Sequence, residues 1–546
     1  MMAKLSVYNH VGRLNPRRSV FSNSMWKLYD CDMGQLIPVY WRELVPGDVF
    51  DISMEAVVRF QPLVAPVLHE IYIRSAYFFV PTRLLMNRDT VEDLGDTGIW
   101  EDFITGGDDG NDDTVLPVWG SSTGETFPVG GFGKYSLWDY FGHPIGVVPT
   151  ADSMPISFDR RCYNLVYNEY FRDQNLIDEV SLDSNEIRYI AWAKDRFTSA
   201  LYDTQRGDRP AIPLQGLTSL SFNGPISSST LANVLYPVGM AGNSSGITSN
   251  LGPSAPLSTK LGLYQSLPVQ GVAVNVGDSA GMFRNWLNNN ALNMSQAVTF
   301  DTVDMRRLFQ LQKYLERNMR AGARYAEQIP ARFGVRPQDY RLQRPEFIGG
   351  SRSPVIVSEV LQTSESSNSS KQGNLAGHGI SAESTRIGTY RAYEHGYIIG
   401  LSVIQPRAIY NQGIHRQSQR RTRYDFLTPE LVNLSEVGIK NSELVVTGTA
   451  RDDQIFGFNG IYDEYRTAES IVVADMRDTL DYWHLARKDY NAANPPSLNK
   501  NFIECRPDKR IFAVQNVPGI IVSFGTRCRA TRPLPIVAEP GLIDHH

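Results

Sequence analysis

Residues 35–83 hold four runs rich in β-branched and aromatic residues, and no stretch with helical spacing separates them. Leu36, Val39 and Leu44 come first, then Val49-Phe50-Asp51-Ile52, then Val57-Val58-Arg59-Phe60, and then residues 71–80 (IYIRSAYFFV). Pro46-Gly47, Pro62 and Pro81 punctuate the runs, as turns require. Successive strands of this length without helices between them predict an antiparallel β-sandwich. Strand text resumes at residues 354–357, 397–404 and 520–524. No repeat of 20 to 50 residues is visible, which argues against solenoids and propellers. With 546 residues and 42% hydrophobic content the chain has ample material for a core, so wholesale disorder is excluded.

Long insertions separate these strands. Residues 158–202 predict helices: Cys162, Leu165, Val166 and Tyr170 recur at three and four, and a second helix is expected over 186–202. Residues 303–324 give the clearest helical stripe, with Leu308, Leu311, Leu315 and Met319 on one side. Residues 211–282 are the oddest stretch: only Lys260 and Asp278 are charged, against a chain average of 20%. Yet Leu235, Tyr236, Leu261, Leu263 and Tyr264 lie there, so an ordered insertion that buries itself against copies of itself or a partner is expected. The expected organisation is a basic arm over 1–30, sandwich strands in 31–100 and 347–546, a loop and helical insertion over 101–210, the low-charge insertion over 211–290, and a helical insertion over 291–346.

Net charge is −5, which excludes a globally basic partner for nucleic acid. Local basic elements stand out instead. The first 29 residues carry Lys4, Arg13, Arg17, Arg18 and Lys27 and no acid. A second cluster is Arg416, Arg420, Arg421 and Arg423. Both are candidates for contact with phosphate. Lys313, Arg317, Arg320 and Arg324 follow helical spacing and could bind phosphate or a neighbouring subunit's carboxylates.

Catalytic signals are weak. Gly120 to Gly124 and Gly277 to Gly281 both match G-x-S-x-G, and the second follows a strand-like run, making Ser279 a candidate nucleophile. Neither has the strand and helix alternation of a hydrolase around it. The acidic loop at 106–113 (GGDDGNDD) lacks the sixth-position glycine and closing Glu of a calcium hand. The carboxylate pair Asp463-Glu464 gives no separation from sequence. Four scattered cysteines have no metal-ligand spacing and suit a reducing compartment, and no apolar run approaches the length of a membrane span. No cofactor is expected.

Several phrases together resemble the major capsid protein of the Microviridae, small icosahedral single-stranded DNA phages, and most closely its gokushovirus branch. They are PRRSVF (16–21), LIPVYWRELVPGDVF (36–50), YNEYFRDQNL (167–176), RNMRAGARYAEQIPARFGV (317–335), RLQRPEFIGG (341–350), HGYIIGL (395–401), RRTRYDF (420–426), WHLAR (483–487) and PGLIDHH (540–546), in order along the chain. The resemblance implies a mainly β, eight-stranded antiparallel jelly roll of the viral capsid type, with long loop and helical insertions. It implies no catalysis and a T=1 icosahedral shell of sixty copies around a circular single-stranded DNA genome. It also implies small basic DNA-binding, scaffolding and pilot proteins as partners, a bacterial surface receptor, no membrane insertion, and assembly in the host cytoplasm before residence in the virion. Residues 211–282 resemble in length and position the insertion that forms threefold surface protrusions in gokushoviruses. That makes Leu235, Tyr236, Leu261, Leu263 and Tyr264 host-attachment candidates. The alternatives are a carbohydrate-binding β-sandwich and a serine hydrolase.

Overall fold

Along Val49–Phe60 every second residue is buried: Phe50, Ile52, Met54, Ala56, Val58 and Phe60 point inward. A strand with one covered face needs this period of two. The computed structural model describes residues 16–86, 100–105, 116–120, 127–210, 302–361, 375–488 and 490–537. Its strands are β1 (Ser19–Ser22), β2 (Met25–Cys31), β3 (Ile37–Leu44), β4 (Val49–Phe60), β5 (Ile71–Pro81), β6 (Glu346–Leu361), β7 (Leu375–Arg391), β8 (Gly396–Pro406), β9 (Glu436–Lys440), β10 (Ile455–Gly460) and β11 (Ile520–Arg532). The chain divides into two units, Met1–Arg206 with Leu315–His546, and Gly207–Tyr314. In the second unit the described residues are 207–210 and the helical residues 302–314.

One layer runs β2-β11-β4-β7 and the other β3-β8-β5-β6, with every pairing antiparallel. Counted in chain order, these eight strands give the interleaved Greek keys of a jelly roll. β1 extends the β2 edge, pairing Ser19–Ser22 with the end of β11. β6 joins the layers, because its first part pairs with β5 and its last part, from Ile356, with β7. The inward faces of both layers make the main core, including Phe50, Ile73, Tyr77, Phe79, Ile398 and Phe524.

The outer face of the β3-β8-β5-β6 layer is also covered over much of its area. All residues of β8 are buried, so it reads as a continuous apolar run instead of an alternating one. Its cover comes from the insertion between β5 and β6. Helices α1 (Trp100–Thr105), α2 (Leu137–Tyr140) and α3 (Phe158–Val166) belong to this insertion. Trp119, Trp138, Phe158, Cys162 and Tyr163 pack on Phe78, Val80, Ile399 and Leu401 in a second core cluster. Further on come α4 (Thr302–Ala321), α5 (Tyr325–Phe333) and the short α6 (Lys500–Ile503). A third cluster gathers Phe197, Ile439, Leu444, Phe456 and Phe502 beside the β9-β10 pair.

Two expectations need correction. Residues 186–202 form no helix: they hold only the single bridges Gln35↔Tyr189, Ala191↔Glu504 and Leu201↔Phe458 and a turn at 196–199. Buried Ile190 and Trp192 are two apart, a strand's period, and both enter the second cluster. The loop and helical insertion expected over 101–210 opens with α1 and not with a loop. Lys4, Arg13, the acidic loop at 106–113, Ser122, Ser279 and the five host-attachment candidates of 211–282 lie outside the described residues.

Candidate nucleic-acid and assembly interface

Lys27 points into the protein. β2 alternates, with Trp26 and Leu28 outward at 59% and 79% exposure, so Lys27 between them faces in. Its Nζ donates to the carbonyl oxygens of Pro38 and Tyr140 and lies 5.9 Å from the centres of the Tyr29 and Tyr140 rings. Burial lowers its pKa from 10.5 to about 7, with Asp139 opposing weakly. This geometry removes Lys27 from the phosphate-contact candidates. Arg17 is exposed at the start of the described chain, and Arg18 Nη1 donates to the Gly47 carbonyl at 3.1 Å.

The second basic cluster splits in two. Arg416 is tied to Glu443 at 3.1 Å and to the Gly438 carbonyl at 2.9 Å. Arg420 pairs with buried Glu464 at 3.1 Å and stacks over Tyr465 at 4.5 Å. Arg421 and Arg423 remain exposed, Arg423 lying over Tyr424 at 4.8 Å. Glu464 and Asp463 are thus spoken for, since Asp463 also pairs with Arg466 at 2.5 Å. They form two separate ion pairs and not a pair of free carboxylates.

The helical row splits likewise. Lys313 and Arg317 are exposed on α4. Arg320 binds Glu436. Arg324 precedes α5, pairs with Glu327 at 3.1 Å and donates to the Asn168 carbonyl at 2.6 Å. Along the stripe Met319 is buried, whereas Leu311 is 46% exposed.

Two of the phrases that carry the family resemblance, 36–50 and 483–487, hold residues that serve packing. Asp48 is fully buried, accepts from Val45 N at 3.0 Å and meets Arg532 at 2.9 Å. His484 Nε2 bonds the Met476 carbonyl at 2.6 Å, and Arg487 donates to the Phe502 carbonyl at 2.9 Å. Burial pushes the His69 pKa down to about 4, and the Leu485 N–H donates to its Nδ1 at 3.4 Å. The four cysteines are free and buried. Among the described residues no group of three potential ligands could hold a metal ion, and no helix is long and apolar enough to cross a membrane.

Large apolar residues are exposed in several places. Trp26, Leu28 and Ile521 lie on the outer face of the β2-β11-β4-β7 layer. Tyr424, Phe426, Leu427 and Leu434 cluster in the segment after the second basic cluster. Contiguous surfaces of this kind are characteristic of protein–protein interfaces. One basic pair escaped the sequence: Arg74 of β5 and Arg352 of β6 are direct partners in the ladder. Their separation in sequence hides the contact, and only the strand register supplies it.

A family model described as "Capsid protein (F protein)" matches residues 10–542. The chain is 31% identical to capsid protein VP1 of Chlamydia phage 1, over 98% of this chain and 97% of that one. It is 29% identical to capsid protein VP1 of Bdellovibrio phage phiMH2K, over 98% and 97%. With capsid protein VP1 of Spiroplasma virus 4 it shares 28% identity, over 94% and 93%.

Proposed function

The chain belongs to the phage capsid protein (F protein) family, as a Microviridae capsid protein of the gokushovirus type, and from that premise we propose that sixty copies close a T=1 shell around a circular single-stranded DNA genome. It is a structural component of the virion and not an enzyme, so the hydrolase and carbohydrate-binding alternatives fall away. The observation that carries the proposal is the jelly roll. Both layers use their inner faces for the core, and exposed Trp26, Leu28 and Ile521 are left over for neighbours.

With a net charge of −5 the shell cannot neutralise a genome wholesale. Local contacts from Lys4, Arg13, Arg17, Arg18, Arg421 and Arg423, together with a small basic phage protein, would do so. Scaffolding and pilot proteins would assist assembly in the bacterial cytoplasm, a setting that suits four free buried cysteines. The low-charge residues 211–282 would meet the host receptor. Nucleic acid extracted from nuclease-treated purified particles tests the genome assignment. Protected DNA that a single-strand-specific nuclease digests after extraction supports it, and empty or duplex-filled particles would overturn it.

A further inference from the structure

We propose that Arg74 and Arg352, on the outer face of the β3-β8-β5-β6 layer, form the centre of a binding site for single-stranded nucleic acid. This deepens the genome-enclosing reading and rests on it. The two residues sit directly opposite each other in the β5-β6 ladder. Cross-strand partners on one face stand about 5 Å apart at Cβ, and like charges there oppose strand pairing. Burial, then the Arg352 charge, lowers the Arg74 pKa. Arg74 reaches only the neutral Gln405 Oε1, at 3.4 Å, and Arg352 lies 3.8 Å above the centre of the Tyr72 ring. Among the described residues neither has a carboxylate partner. A repelling pair held in place by the sheet is neutralised when an anion sits between its members.

The surroundings indicate which anion. Both arginines line a cavity of about 1110 Å³ whose walls carry six cationic side chains against two carboxylates. The other cations are largely engaged: Lys194 with Asp173 at 2.7 Å, Arg324 with Glu327 at 3.1 Å, Arg320 with Glu436, and Arg172 with the Ile177 carbonyl at 2.9 Å. Carboxylates thus claim three of the cations, and the unneutralised charge lies at the adjacent pair Arg74 and Arg352, with Arg172 also on the cavity wall. The cavity exceeds the usual range for small ligands, about 300–1,000 Å³, and is far too large for a lone ion. Phe347 and Tyr202, 53% and 47% exposed, add ring surface to the walls of the same cavity, and the Tyr72 ring lies directly against Arg352. Aromatic faces next to guanidinium groups are the elements that hold bases and phosphates of a single strand. A carboxylate from a neighbouring copy would meet the charge and leave the rings uncovered.

The test uses the full-length chain and a fluorescein-labelled oligothymidylate, read by anisotropy across a salt series. In the Arg74→Gln/Arg352→Gln variant, affinity at low salt should fall at least tenfold. The slope of log K against log salt should flatten by about 1.4, at roughly 0.7 per phosphate contact on a single strand. The unfolding midpoint of the variant should hold or rise, because a repulsion has been removed. In parallel, wild-type chain is crosslinked to an oligonucleotide carrying 5-iododeoxyuridine, and Phe347 or Tyr202 should be labelled. Unchanged affinity and slope, or crosslinks confined to other segments, would overturn the site. So would a variant that binds the oligonucleotide normally but no longer assembles, which would assign the pair to a neighbouring subunit's carboxylate. Failure of the genome reading is separate: it would appear as wild-type particles without protected single-stranded DNA.

Discussion

Replacing Lys27 by Met separates a buried lysine from a phosphate-binding one through the pH dependence of stability. In the folded chain Lys27 titrates near 7, and in the unfolded chain near 10.5. Between those values the unfolded chain holds a proton that the folded chain has released. Wild-type stability therefore rises with pH across this window, and the cost of burying the ammonium is fully present below pH 7. At about 1.4 kcal/mol per unit, the ceiling is about 5 kcal/mol. The side chain keeps part of its surface in water, so about half of that is expected. Met keeps the apolar stem but leaves the Pro38 and Tyr140 carbonyls without this donor, at a pH-independent cost of about 1–3 kcal/mol. Denaturant unfolding followed by tryptophan fluorescence, at half-unit steps from pH 6 to 10, yields the wild-type-minus-variant difference. It should stay flat below pH 7 and climb by about 2–3 kcal/mol by pH 10. Other titrating groups cancel in the difference. A constant difference at all pH values, together with weaker DNA binding by the variant, would refute the buried assignment and return Lys27 to the arm's phosphate contacts.

Arg196 joins Glu443 and Glu469 with its side chain only 3% exposed, and Glu443 keeps Arg416 as a second cation, so Arg196→Met should cost about 1.5–3 kcal/mol in denaturant unfolding through lost charged hydrogen bonds. Gly34 has φ +82°, and an added Cβ would fall 1.8 Å from the Cys505 carbonyl oxygen, so Gly34→Ala should sharply cut the yield of folded chain on gel filtration. Arg421→Gln/Arg423→Gln should shift stability by no more than about 0.5 kcal/mol while lowering the DNA content of particles, whereas Arg420→Gln, which frees buried Glu464, should destabilise by about 3 kcal/mol or more. With Lys27 withdrawn, the basic arm offers four charges, so replacing Lys4, Arg13, Arg17 and Arg18 by Gln should reduce the single-strand salt slope by about 2.8, where five contacts would give about 3.5.

Much of the sandwich was legible because β4 and β11 obey a period of two, and turn residues punctuate residues 35–83. β8 was legible for the opposite reason, as a mostly apolar run buried on both faces. The jelly-roll order was not available from patterning, since β6 meets both β5 and β7 only through register. Residues 186–202 misled because apolar residues of an extended segment also fall at three and four when the chain turns at 196–199. Charge composition located the basic clusters but not their role. Glu443 and Glu464, which claim Arg416 and Arg420, are 27 and 44 residues further along the chain. The inward turn of Lys27 follows from alternation along β2, a signal that was present and was outweighed by the net charge of the arm. Arg74 and Arg352 left no local signal at all.

The mass of the purified full-length assembly, measured by native mass spectrometry and imaged by negative-stain electron microscopy, tests the capsid assignment most directly. Sixty subunits of 61.2 kDa in closed icosahedral symmetry give a protein shell of about 3.7 MDa, before any DNA is counted. The account predicts uniform round particles at or above that mass. A chain that stays at 61.2 kDa with the scaffolding and other phage proteins supplied, or that stops at a small oligomer with no closed shell, would contradict it.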